Sequence, residues 1–435
     1  MTNDKGLMTK DKGQIKILDS RKTSVRIGII AVIILALVFG WLAIRWQLGN
    51  MLAELTLATD QNATEVAQLA ISFAPDDPLA NWLFANTKTA NSDSVQGLEK
   101  VVQLSPNDFR WWIELGRARE QAEMPEAAEK AFQKAVELAP DYTFPHWQFG
   151  NFYLRQNRTD EAFAELKKAA ENNSLYREQV FSITWTFFEK DTAKLEQIAG
   201  DSAVGRADLA KFYAIKERPK DSLRIWNTLS EEDKKANATG ANLIARVLYD
   251  KRFYREAIEF VRQIGIEPEA KAETIQNAGF EKPIGEAQDT YFGWRISPIA
   301  KMEVKLDANF KHEGNRSLRV SFNGYADATL YGIYQTVTVE PKANYRLSFW
   351  IRTENLKSGG TPNLEIYNAA DSKNIATSAA FPVGTNDWQQ IKIEFAAPEN
   401  AEAVVLRTTR AFCGDNCPIV GAFWYDDFKL ERLKS

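Results

Sequence analysis

Cysteine and histidine are the scarce residues of this 435-residue chain, with two of each. Two cysteines exclude a disulfide-dense scaffold and a four-cysteine zinc ribbon. The histidines, His146 and His312, stand far apart, and the chain has no HExxH zinc motif, no GxxxxGKS/T phosphate loop and no GxSxG serine elbow. Charge of one sign is missing too. The 54 basic and 58 acidic residues leave a net of −4, which denies nucleic acid a basic footprint. Hydrophobic residues at 45% and charged residues at 26% are ordinary globular values, so a disordered or collagenous chain is ruled out. Binding and scaffolding remain, and the chain is read as a non-enzyme.

The even balance hides a split. Residues 1–26 carry seven basic groups (Lys5, Lys10, Lys12, Lys16, Arg21, Lys22, Arg26) against Asp4, Asp11 and Asp19, a net of +4 that leaves −8 for the rest. Ile27–Ile44 follows, eighteen residues without a charge. As a helix it spans roughly 27 Å, close to the hydrocarbon thickness of a bilayer. Arg26 and Arg45 close it, and Trp41 and Trp46 sit where an interfacial aromatic belt belongs. A cleaved signal peptide is the rival reading, but its apolar stretch is shorter and ends in a small-x-small site. A buried soluble helix is rarely apolar all round over such a length. The expectation is a cytoplasmic basic tail, 1–26, and a single transmembrane helix, 27–45. The bulk then lies on the periplasmic side of a bacterial inner membrane, because the basic flank stays inside.

From 46 to 270 apolar residues recur at three- and four-residue spacing, which predicts helices. Positions repeat every 34 residues: Leu115 and Phe149, Gly116 and Gly150, Ala128 and Ala162, Phe132 and Leu166, Ala135 and Ala169. The first unit reads Trp112-x2-Leu115-Gly116, Ala128-x3-Phe132, Ala135 and Pro140. The second, 143–176, keeps Gly150 and Tyr153 but has His146 at the Trp position and Ser174 at the Pro position. The pattern resembles the tetratricopeptide repeat, with Arg119 in place of the usual Tyr. Small residues let paired helices approach, and each hairpin leaves an apolar face that a neighbour must cover, so an all-α solenoid follows. Further hairpins are expected at 203–232 and 241–264, five or six in all. Such a solenoid takes a peptide or protein in its concave groove. The first helices of the clear repeats turn Arg110, Ile113, Arg117, Phe144, Trp147, Asn151 and Arg155 toward it, a set suited to an acidic or aromatic segment of an envelope protein partner. The alternative is a groove that only packs against neighbouring hairpins or the next domain. His146 is read as a packing residue.

Beyond 270 the period changes to two. Strands are expected at Met302–Leu306, Ser317–Asn323, Leu330–Val339, Tyr345–Thr353, Asn363–Tyr367, Trp388–Phe395, Ala403–Thr409 and Phe423–Leu430. Eight strands in about 158 residues fit an all-β jelly-roll sandwich over 277–435. The opening NAGFE (Asn277–Glu281) with Gly293-Trp294, HEGNRSLRV (His312–Val320), YQTVTVEPKANYRLSFWIR (Tyr334–Arg352), Trp388 and the closing FWYDDFKL (Phe423–Leu430) resemble the CenC-type carbohydrate-binding modules. That resemblance implies one structural Ca²⁺ held by Glu281, the carbonyl of His312 and Asp427, with Asp426 as substitute. The alternative is a set of solvated acidic turn residues.

Alternation puts Tyr345, Leu347, Phe349 and Ile351 in the core and Trp350 and Arg352 on the opposite face. Glu365 and Tyr367 alternate likewise with Leu364 and Ile366, and Gln335 and Arg407 lie on strands expected nearby. These six are the expected sugar site. An outward Trp350 that docks on the solenoid is the alternative. Cys413-Gly-Asp-Asn-Cys417 is read as a loop-pinning disulfide, with free thiols as the alternative. The whole predicts a membrane-anchored envelope scaffold that binds a polysaccharide and a protein partner, in export or assembly of an exopolysaccharide. A protein assembly factor without sugar binding is the second reading, and a glycoside hydrolase the third.

Overall fold

The computed structural model describes residues 22–88, 91–171, 173–284, 290–327 and 329–434. The basic tail read at 1–26 lies outside the described residues as far as position 21. The chain divides into two compact units, one reaching to Tyr176 and one beginning at Arg177.

In the first unit, Thr23–Glu54 (α1) is one helix. Its uncharged run is exposed and is long and apolar enough to cross a membrane. The helix continues past Arg45 without a break, and Gly49 and Ala53 are buried against Ala63–Phe73 (α2). A Cβ on Gly49 would stand 2.6 Å from the Ala74 Cβ, so only glycine permits that approach. One helix therefore serves both the apolar run and the first hairpin. Three more hairpins follow: Pro78–Asn86 (α3) with Asn91–Leu104 (α4), Phe109–Gln121 (α5) with Pro125–Leu138 (α6), and Thr143–Arg155 (α7) with Thr159–Glu171 (α8). Gly116 and Gly150 lie at the helix contacts, where a Cβ would meet the Phe132 ring at 3.0 Å and Leu166 Cγ at 2.8 Å.

Ser174–Phe187 (α9) carries the chain into the second unit, followed by Thr192–Ala199 (α10), Ala203–Ile215 (α11), Pro219–Trp226 (α12), Glu231–Ala236 (α13), Ala238–Asp250 (α14) and Tyr254–Gln263 (α15). One turn recurs in five hairpins. Glu123, Asn157, Glu189, Glu217 and Arg252 adopt φ of 51° to 68°. The next N–H returns to the carbonyl five residues back (Met124 to Arg119, Arg158 to Tyr153, Lys190 to Trp185, Arg218 to Tyr213, Phe253 to Leu248). This is a Schellman closure, which satisfies the last carbonyls of the first helix while reversing the chain. It marks α11–α12 and α14–α15 as hairpins of the same kind as the two clear repeats.

The remainder is a sandwich of Arg295–Ile296 (β1), Met302–Asp307 (β2), Ser317–Tyr325 (β3), Ile333–Thr338 (β4), Asn344–Lys357 (β5), Pro362–Asn368 (β6), Asn374–Thr377 (β7), Gly384–Ala396 (β8), Ala403–Arg410 (β9) and Ile419–Arg432 (β10). The first sheet has the order β1-β4-β9-β6-β7 and the second β2-β3-β10-β5-β8, with antiparallel neighbours. All eight expected strands are present. The short edge strands β1 and β7 add two. Leu318, Val320, Tyr345, Leu347, Phe349, Ile351, Leu364, Ile366, Leu406, Phe423 and Tyr425 fill the space between the sheets.

Candidate functional site

The first sheet carries a row of chemistry across its outer face. Strand register aligns Arg295 with Tyr334, Tyr334 with Arg407, Arg407 with Glu365, and Glu365 with Thr377. Their neighbours Ile333, Leu406 and Ile366 point into the core, so the row points out. The Arg407 guanidinium lies between two tyrosines, 3.9 Å from the Tyr331 ring centroid and 4.5 Å from that of Tyr367. Its Nη2 sits 2.5 Å from Glu365 Oε2. Asn374 Nδ2 donates to Glu365 Oε1 at 2.6 Å. Burial pushes the Tyr367 phenol up, against the pull of Arg407. Tyr331 is 44% exposed, which leaves the stack open to solvent.

The six residues expected to form one sugar site divide three ways. Glu365, Tyr367 and Arg407 come together as described. Gln335 is fully buried on the core side of β4, beside Ile333 and Val337, and its Nε2 donates to the Gln276 carbonyl at 2.9 Å. Trp350 and Arg352 stand on the outer face of the second sheet, which looks the opposite way across about 10 Å of core. There the Trp350 ring stacks on the His312 imidazole at 3.9 Å, with Trp388 edge-on to the same imidazole at 5.9 Å. Arg352 lies 3.9 Å over Phe310 and 5.1 Å from Trp424. Tyr331, Tyr334 and Arg295 went unread, although the alternation Tyr334-x-Thr336-x-Thr338 places Tyr334 outward.

The residues expected to hold a metal converge where β10 meets the opening turn. Asp426 is fully buried, and its Oδ2 accepts the His312 N–H at 2.8 Å. Burial pushes its carboxyl up to about 6, with the charge of Asp427 adding to the rise and neighbouring amides opposing it. Asp427, at φ 47° in a bulge of β10, accepts from His312 Nδ1 at 2.6 Å through Oδ2. A Cβ built on Gly279 would lie 3.6 Å from Asp427 Oδ1 and 3.7 Å from Asp426 Oδ1, so both carboxylates border one small space. Glu281 reaches the same turn, accepting the N–H groups of Asn315 and Arg316 at 2.7 and 3.1 Å. Glu281, Asp426 and Asp427 offer oxygen donors of the kind a hard cation takes, but the side chains whose ligand atoms lie within 4.8 Å of one another are His312, Glu313 and Asp427. His312 presents its imidazole to Asp427 and Trp350.

Cys413 and Cys417 are joined as a disulfide. The buried Arg410 donates to the Gly360 carbonyl and to Ser358 Oγ at 2.9 and 2.7 Å, and its Nη2 lies 3.1 Å from Cys417 Sγ.

The peptide-groove expectation needs correction at one point. Ile113 is 1% exposed and packs with Phe132, Phe149 and Phe152, because it shares a face of α5 with Gly116. The basic groups do not form a free strip. Arg110 pairs with Asp108, Arg117 with Glu114, and Arg155 with Glu120 through two hydrogen bonds of 2.7 and 2.8 Å. Phe144 is partly exposed, the Trp147 ring is edge-on to Tyr176 at 5.6 Å, and Asn151 donates to the Trp147 carbonyl.

The profile of the family described as "Carbohydrate binding domain" matches residues 272–410, and that of "Tetratricopeptide repeat" matches 110–142. Over 221 residues the chain is 27% identical to the tRNA nuclease WapA of Bacillus subtilis (strain 168), covering 47% of this chain and 8% of that protein. Over 60 residues it is 35% identical to Tetratricopeptide repeat protein 37 of Xenopus laevis, covering 14% and 4%. The chain therefore spans less than a tenth of the length of these relatives. A solved structure described as "CBM4 structure and function" is 16% identical with a TM-score of 0.28, and the match covers 37% of this chain and 100% of that one. An apolar N-terminal helix, tetratricopeptide-type hairpins and a sandwich of the carbohydrate-binding-domain type follow one another along the chain.

Proposed function

We propose that this protein is a non-enzymatic, membrane-anchored envelope scaffold that binds a polysaccharide on the outer face of its first sheet and a protein partner through its helical hairpins. The observation that carries the reading is the row Arg295–Tyr334–Arg407–Glu365 with Tyr331 and Tyr367 flanking Arg407. Aromatic rings offer apolar faces to the C–H surfaces of a pyranose, and the guanidinium and carboxylate offer donors and acceptors to its hydroxyls. Two rings and Glu365 already hold Arg407, so less side-chain freedom is lost on binding. Open sites of this kind bind with dissociation constants on the order of micromolar to millimolar, roughly −8 to −4 kcal/mol.

Glu281, Asp426 and Asp427 would hold one Ca²⁺, whose chemistry here would be structural: its charge would offset two of the three carboxylate charges and tie the opening turn to β10. The apolar part of α1 spans a bacterial inner membrane with the basic tail in the cytoplasm and the remainder outside, where an exopolysaccharide in export or assembly is within reach. The likeness to WapA assigns this chain no part of that protein's activity. A second reading, an assembly factor whose sandwich only contacts protein, is favoured by the packing of α14–α15 on the same sheet. Electrophoresis of the detergent-solubilised full chain through gels containing single polysaccharides separates the two. Retardation by at least one glycan supports the first, and none across a broad panel supports the second.

A further inference from the structure

The row on the first sheet lies beside a wall that the chain itself supplies. The hairpin α14–α15 meets four strands, or the turns that end them. At β1, the Arg295 guanidinium lies 4.8 Å from the Tyr249 ring centroid. At β4, Tyr249 Oη and Thr336 Oγ1 are 2.7 Å apart, and Arg255 pairs with Glu340 just past the strand at 3.0 Å. Just before β9, Glu402 lies close enough to the start of α15 that burial, with the Glu256 charge adding, pushes its carboxyl up. Just past β6, Arg252 donates to the Ala370 carbonyl. Thr336 and Thr338 point outward like Tyr334, yet they are 3% and 2% exposed. The covered ground begins at the next row with Thr336 and Val405, roughly 7 Å from the Arg407 row, except at β1, where Tyr249 reaches Arg295 in the row itself. On the other flank Tyr331 stands 44% exposed.

The wall is stiff. Tyr249 is edge-on to Tyr254 and Phe292 at 5.4 and 5.5 Å and tilted against Tyr291 at 5.4 Å, so its ring is braced by three others. A glycan lying along the row from β1 to β7 crosses five strands, roughly 19 Å, and passes this wall most closely at β1 and β4, where Tyr249 stands.

We propose that α14–α15, with Tyr249 at its contact edge, restricts the groove to unbranched glycan chains. A linear chain presents only hydroxyls to the wall. A regularly substituted chain projects sugars from both edges, and those on the wall side meet packed aromatic rings that yield only by overpacking. This rests on the reading of the Arg407 row as a glycan groove.

The test uses the full chain in detergent and three pairs of soluble probes: mixed-linkage β-glucan against xyloglucan, debranched against native arabinan, and glucomannan against galactomannan. For whichever pair is retained, the wild type should bind the linear member at least tenfold more tightly. Tyr249→Ala should bring the branched member to within threefold of the linear one, while Arg407→Ala loses both. Equal binding of linear and branched members by the wild type overturns the wall and leaves the groove standing. Loss of both members in Tyr249→Ala also overturns it, since the tyrosine is then needed for any binding. A wild type that binds no polysaccharide while capturing an envelope protein overturns the groove and the wall together.

Discussion

His146 stands where Trp112 stands one repeat earlier, and it makes the same bond. Trp112 Nε1 donates to the Pro106 carbonyl at 2.8 Å, and His146 Nε2 lies 2.8 Å from the Pro140 carbonyl. The exchange recruits a new partner, because Glu165 Oε2 lies 2.5 Å from Nδ1. Two acceptors facing two ring nitrogens are both satisfied only by the imidazolium.

A pH dependence follows for the first unit. Burial opposes the charge on His146, but Glu165 and the Pro140 carbonyl raise its pKa above the ordinary 6.5. Burial would raise Glu165, but His146 and Lys168 bring it below the ordinary 4.5. The histidine contributes stability that is full below 6.5 and lost as pH rises through its folded pKa. The carboxylate contributes stability that is full above 4.5 and lost as pH falls through its own. The melting-temperature gap between wild type and His146→Trp should therefore be widest between pH 4.5 and 6.5 and should narrow in alkali. A gap that does not change with pH contradicts the ion pair.

Gly116→Leu should lower the first unfolding transition of the full chain by several degrees, since overpacking a close helix contact costs about 1–3 kcal/mol. The aromatic ring of Phe132 is the atom group in the way, and it sits in a filled core. An unchanged melt would mean that α5 and α6 do not pack at this residue.

Calcium should raise the melting temperature of the sandwich, by an amount equivalent to about 2.7 kcal/mol at a hundredfold excess over its dissociation constant. A chelator should reverse the rise, and Asp426→Asn should remove it. A melt unmoved by millimolar calcium would leave the acidic turn without a metal.

Peptides from unreduced protein should show one intramolecular Cys413–Cys417 bond by mass spectrometry. The loop it closes is short, so reduction should cost only the low end of about 2–4 kcal/mol. Two alkylatable thiols in envelope-purified protein would contradict it.

Side-chain parity made much of the sandwich legible in the sequence. Tyr345, Leu347, Phe349 and Ile351 are inward and Trp350 outward, as alternation requires. Parity names a face and not a sheet, and Trp350 and Tyr367 lie on successive strands that belong to different sheets. Gln335 was legible in principle, since it shares the parity of Ile333 and Val337. The 34-residue period exposed two hairpins because their glycines and alanines are intact. The turn shared by the later ones rests on Glu189, Glu217 and Arg252, residues with no special left-handed preference, so nothing in their identity announces it. The wall of α14–α15 was invisible, because Tyr249 and Thr336 are 87 positions apart and neither belongs to a motif.

The claim that the glycan site lies on the first sheet is tested most directly by retention of two full-chain variants in the same polysaccharide gel. Arg407→Ala removes the cation between Tyr331 and Tyr367, and Trp350→Ala removes the outward ring of the second sheet. The account predicts at least a tenfold loss of affinity, about 1.4 kcal/mol or more, for Arg407→Ala, with Trp350→Ala bound within threefold of wild type. Loss of binding in Trp350→Ala with Arg407→Ala retained would contradict it and move the site to the His312–Trp350 face.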